Sequence, residues 1–270
     1  MKVVHEVTDR YIEIDEAIAY IHRNIDDAIE LSGLAKYVGY SPYHFARIFK
    51  ERIGLPPLYY VSAYRLQRAK ELLLNTNLSV RDIGLEIGQQ SLGTFTSRFT
   101  ERVGVTPSQF RNSMKMTGSQ LHMLRNLTDW RDREVSHLHG RVEGTIQSVV
   151  PFEGVILIGL FAKPIPEGLP LHGTLLSSVG SFVFTGVKPG TYYLMATSVE
   201  WGTSAIDVLL PRATLRTRSR EPIVVKPNTP VPPRHAVLHP PHPDDPPILI
   251  SLPLLMNRFI GRIAGHENTR

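Results

Sequence analysis

The chain has 270 residues, enough for two domains of ordinary size that bury their cores without metal or disulfide staples. Its complete lack of Cys excludes a disulfide framework, thiolate zinc sites and cysteine nucleophiles, and it suits a reducing cytoplasm. Thirty Lys and Arg against 25 Asp and Glu leave a formal net charge of +5, which favours a polyanionic partner only if the charge gathers on one face.

The opening MKVVHEVTDRYIEIDEA alternates charged with apolar residues, so neither an export signal nor a membrane span is expected, and the expected location is cytoplasmic. From residue 12 to about 113, apolar positions recur at three and four, Pro falls mostly at helix starts and Gly falls between segments. That pattern predicts helices. The stretch 115–139 is polar, rich in His and Arg and without firm periodicity, and reads as a linker. From 140 to 226 the language is that of strands and turns: Val155-Ile156-Leu157-Ile158, Ser181-Phe182-Val183-Phe184 and Tyr192-Tyr193-Leu194-Met195-Ala196 are separated by Gly and Pro. The predicted domains are therefore 1–114, all-α; 115–139, linker; 140–226, a small antiparallel β-sandwich of roughly seven strands; and 227–270, a Pro-rich segment and C-terminal tail whose LISLPLLMNRFIGRIAG could form a short amphipathic element.

Within the helical part an internal repeat with a period of roughly 50 residues stands out. LAKYVGYSPYHFARIFKERIGLPPLYY begins at Leu34, and IGLEIGQQSLGTFTSRFTERVGVTPSQF begins at Ile83. Gly39 and Gly88, Phe45 and Phe95, Phe49 and Phe99, Glu51 and Glu101, Gly54 and Gly104, and Pro57 and Pro107 correspond. Each copy has the parts of a helix-turn-helix: a short helix, a Gly at the turn, a polar cap and a second helix anchored by aromatics. In the first copy Gly39 can end one helix, Ser41 can cap the next and Pro42 fits its first turn. Phe45 and Phe49 lie four apart and share one face, which must be the core face, since exposing both would forfeit several kcal/mol of burial. The same holds for Phe95 and Phe99.

The faces left over are the candidate readers. In the first copy they are Tyr43, His44, Ala46, Arg47 and Lys50; in the second, Leu92, Gly93, Thr94, Thr96 and Ser97. Arg47 leads for direct readout, because a guanidinium makes bidentate hydrogen bonds to guanine; phosphate contact and a solvated guanidinium are the plainer alternatives. Lys50, Arg52, Arg102 and Arg111 are candidate phosphate partners. Between the copies, PLYYVSAYRLQRAKELLLNT predicts a long amphipathic helix facing inward through Leu58, Val61, Leu66, Ala69, Leu72 and Leu73. At about 27 Å for 18 residues, it could set the two reading helices roughly one DNA turn apart.

These residues carry a resemblance. The pattern A-x3-G-Y-S-P-x-H-F-x-R-x-F-K-E-x-x-G, then R-L-x-x-A-x-x-L-L, then I-x4-G-x6-F-x3-F-x4-G-x-T-P-x-x-F-R resembles the DNA-binding domain of the AraC/XylS family over residues 12–113. The resemblance implies seven helices in two motifs, double-stranded promoter DNA as the partner, and sequence-specific transcription regulation. It sets Tyr43, Ala46 and Arg47 on groove-facing places in the first unit, and Leu92, Gly93, Thr96 and Ser97 in the second. The second copy departs from the pattern: Gly88-Gln89 stands for Gly-Phe, Gly84 stands where Ala is usual, and Ser97 stands where Arg is often found, with Arg98 one position on.

The β segment GSFVFTGVKPGTYYLMA, from Gly180 to Ala196, reads as a strand-turn-strand hairpin and resembles carboxypeptidase-regulatory-like or transthyretin-like sandwiches. Its open roles are sensing a small-molecule effector, homodimerisation, contact with RNA polymerase and that of a passive structural appendage. The competing whole-chain reading is an interaction protein working through the β domain, with the helical half a nonspecific DNA tether. His235, His239, His242, Asp244 and Asp245 have metal-binding side chains, but the intervening Pro residues impose no common inward geometry, so no metal is expected. No nucleophile elbow, phosphate loop or dinucleotide fingerprint occurs, so no catalytic residue or cofactor is expected.

Overall fold

The computed structural model describes residues 11–89, 91–128, 130 and 140–267. Part of the expected linker, residues 129 and 131–139, lies outside the described residues, as do residues 1–10 and 268–270. The chain divides into two compact units: Met1–Arg98 with His242–Pro247, and Phe99–Pro241 with Ile248–Arg270.

The first unit is helical. It holds α1 (Ile12–Arg23), α2 (Leu31–Tyr37), α3 (Pro42–Ile53), α4 (Pro57–Asn75), α5 (Val80–Glu86) and the start of α6 (Leu92–Val103). Local sequence chemistry sets the boundaries. The Ser41 hydroxyl accepts the His44 N–H at 3.3 Å, with Pro42 opening α3, and Ser79 caps α5 in the same way through Asp82. Gly39 and Gly88, at φ 74° and 77°, turn the chain between the helices of each copy, a left-handed backbone that favours Gly. Along α1, the buried Ile14, Ala17, Ile18 and Ile21 repeat at the spacing of one helix face.

The long helix α4 has 19 residues and spans about 28 Å at 1.5 Å per residue. Tyr60, Val61, Ala63, Leu66, Ala69, Leu72 and Leu73 are buried along it, whereas Leu58, expected on the inner face, is 45% exposed at the first turn. Arg65 fastens α4 to the turn after α1, its Nη2 donating to Asp27 O at 2.6 Å and its Nε to Ile25 O at 3.3 Å. Arg68 pairs with Asp26 and Glu71 at 3.6 Å each. A polar thread also runs through the unit. His22 meets the Tyr60 hydroxyl at 3.1 Å, Tyr60 packs on Tyr64, and the Tyr64 hydroxyl donates to Asp245 O at 3.1 Å. Burial lowers the His22 imidazole and raises the Tyr60 phenol from their ordinary values.

The second unit takes the rest of α6 with α7 (Pro107–Asn112) and α8 (Met114–Arg125), then β1 (Gly140–Ser148), β2 (Gly154–Phe161), β3 (His172–Leu176), β4 (Gly180–Val187) and β5 (Gly190–Glu200). After these come α9 (Ala205–Leu209), β6 (Arg216–Arg218), β7 (Ile223–Val225), β8 (Arg234–Leu238) and α10 (Leu252–Glu267). One sheet runs β4-β1-β8; the other runs β3-β2-β5-β6, with β7 on β5. Their facing side chains share one core, including Val142 and Ile146 of β1, Ile156, Ile158 and Leu160 of β2, and Phe182 and Phe184 of β4. The opposite face of β2 and β5 is covered by α8, α9 and α10 through Val155, Leu157, Val199, Leu124, Val208, Met256 and Phe259. Every residue of β2 is buried, which is why its sequence is an unbroken apolar run rather than an alternation.

Four expectations are corrected here. Residues 114–125 form α8, with Leu121 and Leu124 in a core, so the expected linker begins as a helix; only two of its apolar side chains are buried, too few to show as a period. The segment after 226 contributes β8 as well as α10, which falls where an amphipathic element was expected; β8 is short and flanked by Pro232, Pro233 and Pro240, which hid it. The sheets are not wholly antiparallel, because β8 pairs parallel with β1. There Gly144 is required: a Cβ would stand 1.8 Å from Arg234 O. Finally, β4 and β5 are not a hairpin. β4 pairs with β1 and β5 with β2, so the Lys188-Pro189 turn crosses between sheets, its corner held by the Tyr192 hydroxyl donating to Lys188 O at 2.8 Å.

One buried charge makes a prediction. Burial lowers the Lys70 ammonium of α4 to about 7 from 10.5, with the Glu71 carboxylate acting in the opposite direction. Between these values the unfolded chain holds a proton that the folded chain has released, so this group makes stability rise with pH from about 7 to 10.5. Lys70→Met should lack that rise. In urea titrations from about pH 6 to about pH 10, the wild-type midpoint should gain on the variant as pH increases; parallel profiles would mean that Lys70 stays charged in the fold.

Candidate nucleic-acid interface

In both copies the anchoring aromatics are sunk in cores. Phe45, Phe49, Phe95 and Phe99 each have no exposed surface. Phe45 and Phe49 stand 5.5 Å apart between ring centres, Phe49 meets Tyr60 edge-on at 5.5 Å, and Phe99 meets Phe110 at 5.8 Å. With one face of each helix committed in this way, the opposite face points to solvent.

On α3, Tyr43, Arg47 and Lys50 are exposed, Tyr43 to 83%, and His44 and Ala46 are half-buried. Tyr43 is therefore no packing residue. The His44 ring lies edge-on to Tyr40 at 4.7 Å, which holds it beside the turn. Arg47 sits loosely against Glu51 at 3.5 Å, with both side chains well solvated, a contact worth little that a stronger anion can displace. Glu51 also accepts the Tyr11 hydroxyl at 3.2 Å. On α6, Leu92, Gly93, Thr94 and Ser97 are exposed and Thr96 is half-buried. The Ser91 hydroxyl accepts the Thr94 N–H at 3.4 Å, repeating the cap of the first copy.

Two of the expected phosphate partners are withdrawn from this surface. Arg102 is only 5% exposed, and its Nε donates to Glu167, so it does not stand among the outward residues of α6. Arg52 is half-buried and pairs with Asp15 at 3.6 Å and Asp244 at 3.4 Å. Both arginines fall in the last turn of their helix, where the core face and the outer face are one residue apart. The His and Asp string is also divided: His235 meets Thr145 at 2.8 Å, the His239 Nδ1 lies 2.7 Å from Pro240 O, and Asp244 serves Arg52.

The departures in the second copy have physical partners. An added Cβ at Gly84 would lie 3.2 Å from the Phe95 ring, so the helices of this copy cross closely. Gln89 and Arg98 bond to each other, Nη1 donating to Oε1 at 3.1 Å. Their counterparts in the first copy are Tyr40 and Ile48, an aromatic and an aliphatic residue where the second copy has two polar ones. That difference went unread in the sequence. Two departures at matched positions of the repeat were its signal. Arg81, Gly84, Leu85, Gln89 and Leu92 line a shallow depression beside this pair.

Residues 34–113 match a family model described as a helix-turn-helix domain. The HTH-type transcriptional activator AarP of Providencia stuartii is 33% identical over 100 residues, covering 37% of this chain and 74% of AarP. The chain belongs to the AraC/XylS family. A further relative is the bifunctional transcriptional activator/DNA repair enzyme AdaA of Bacillus subtilis (strain 168), 33% identical over 103 residues, which are 38% of this chain and 49% of AdaA. The chain thus spans about half the length of that relative. Among solved structures, an AraC-type transcriptional regulator of Chromobacterium violaceum is 33% identical, covering 37% of this chain and 90% of its own, with a TM-score of 0.36. The AraC/XylS match coincides with the repeat and its connecting helix. No described helix is long and apolar enough to cross a membrane.

The close crossing at Gly84 is testable. Gly84→Val should cost about 1–3 kcal/mol through overpacking against Phe95, read as a lower urea midpoint with unchanged slope. A variant as stable as wild type would show that the crossing is loose.

Proposed function

We propose that this chain is a sequence-specific transcription regulator that sets α3 and the first two turns of α6 into successive major grooves of promoter DNA. The observation that carries the reading is the pairing of opposites in each repeat: aromatics fully buried on one face, and Tyr43, Arg47 and Lys50, or Leu92, Gly93, Thr94 and Ser97, exposed on the other. Family membership supports duplex DNA as the partner. The length of α4 suits the spacing of two helices about one DNA turn, roughly 34 Å, apart once helix widths are added. In this reading Arg47 and Tyr43 read bases or thymine methyls, Lys50 holds a phosphate, and the second copy reads through Thr94, Thr96, Ser97 and its backbone.

The two β sheets, with their common core, form a sandwich in this reading, and its role is to sense an effector or to mediate dimerisation. Size-exclusion chromatography with light scattering on the full chain, with and without the selected duplex, tests dimerisation.

Duplexes selected by the purified protein from genomic fragments, competed against shuffled sequences at fixed salt, test the whole proposal. A regulator prefers its site by orders of magnitude; equal affinity would favour a nonspecific tether. Arg47→Ala should weaken the selected duplex by about 1–3 kcal/mol and the shuffled one much less. Equal losses on both, with a shallower salt dependence, would put Arg47 on phosphate.

A further inference from the structure

We propose that Glu167 and Asp244 are positioning residues, one for each reading helix, each holding the last turn of its helix through an arginine at the same position of the repeat. The inference rests on the two-reader function proposed above and adds to it. Arg52 and Arg102 are equivalent positions of the repeat, each directly after the matched Glu51 and Glu101 and in the last turn of its helix. Each meets a carboxylate from far along the chain.

In the first unit, Arg52 of α3 pairs through Nη1 with Asp244 Oδ2 at 3.4 Å and through Nη2 with Asp15 of α1 at 3.6 Å. Asp244 is 7% exposed. It belongs to His242–Pro247, the short segment of the Pro-rich region that is part of this unit. The segment is tied down again beside Asp244, where Asp245 O accepts the Tyr64 hydroxyl of α4 and Asp245 Oδ2 accepts the His242 N–H at 2.9 Å.

In the second unit, Arg102 of α6 donates through Nε to Glu167 Oε2, and both side chains are nearly free of solvent. Lys163 Nζ reaches the other Glu167 oxygen at 3.0 Å. The last carbonyls of a helix have no acceptor role inside it and need donors from outside. Here the Gly168 N–H donates to Arg102 O at 2.7 Å, and the Ser251 N–H donates to Val103 O at 2.9 Å. Gly168 takes φ 62°, and Gly104 fits so closely that a Cβ would stand 2.7 Å from Leu254. The end of α6 is thus held by side chain and backbone together. A buried ion pair fixes the last turn of its helix against the segment that supplies the carboxylate, and a buried carboxylate removed alone leaves its arginine uncompensated.

Hydroxyl-radical footprinting of the full chain on a duplex selected from genomic fragments tests the assignment. Glu167→Gln should lose protection over one half of the site and Asp244→Asn over the other half, each with about tenfold weaker binding. Glu167→Asp, which keeps the charge on a shorter arm, should give a partial loss confined to the same half as Glu167→Gln, and it serves if the glutamine variant does not fold. Losses spread evenly over both halves, or footprints unchanged, overturn the proposal. If the wild-type protein protects no preferred sequence, the regulator function itself fails. Amide hydrogen exchange on the free protein then decides positioning separately: Glu167→Gln should speed exchange in α6 and leave α3 unchanged, Asp244→Asn the reverse, and an equal rise in both helices, or none, overturns it.

Discussion

Everything outward in the helical unit follows from the burial of two phenylalanines four residues apart. Phe45 and Phe49 fill one face of α3, and Phe95 and Phe99 fill one face of α6, all without exposed surface. A helix offers only one face to a core this narrow, so its remaining positions are fixed in direction by the apolar ones. Tyr43, Arg47 and Lys50 face solvent because Phe45 and Phe49 do not. The cost of turning α3 around, with two aromatics exposed at about 1.5–3 kcal/mol each, exceeds what any single surface contact could return.

The proposed reading of DNA by these faces needs rigidity between them, and the contacts along α4 favour it. Its inner face includes a fully buried Lys70 as well as Leu66, Ala69 and Leu73, and its sides are fastened by Arg65 to backbone carbonyls and by Arg68 to carboxylates. Such contacts are directional, so each holds only while its partner keeps its place. The thread from His22 through Tyr60 and Tyr64 to Asp245 likewise fastens the segment His242–Pro247, which closes the helical unit with residues from the far end of the chain.

The β unit shows how one strand can serve two cores. β2 lends Ile156, Ile158 and Leu160 to the core between the sheets and Val155 and Leu157 to the layer beneath α8, α9 and α10. This second layer gives the expected linker and the expected tail their structure. The linker has too few apolar residues to signal burial, whereas the apolar run from Leu249 onward signals an element whose covering surface only the fold supplies.

The sequence by itself determined what is local. Gly39, Gly54, Gly88 and Gly104 adopt positive φ where the repeat places them, Ser41 caps α3, and the aromatic pairs lie inside. Short-range rules of capping, turn sterics and helical period suffice for these, and with them for the outward faces of α3 and α6. Tertiary structure alone decided what depends on partners distant in the chain. Arg102 looks in sequence like any cation on a basic helix, and only the arrival of Glu167 makes it a buried anchor. Strands β4 and β5 look like a hairpin, and only their pairing with β1 and β2 separates them into different sheets. Charge and pattern tell which residues seek a partner; which partner each one meets depends on contacts between residues far apart in sequence, and no local periodicity encodes that.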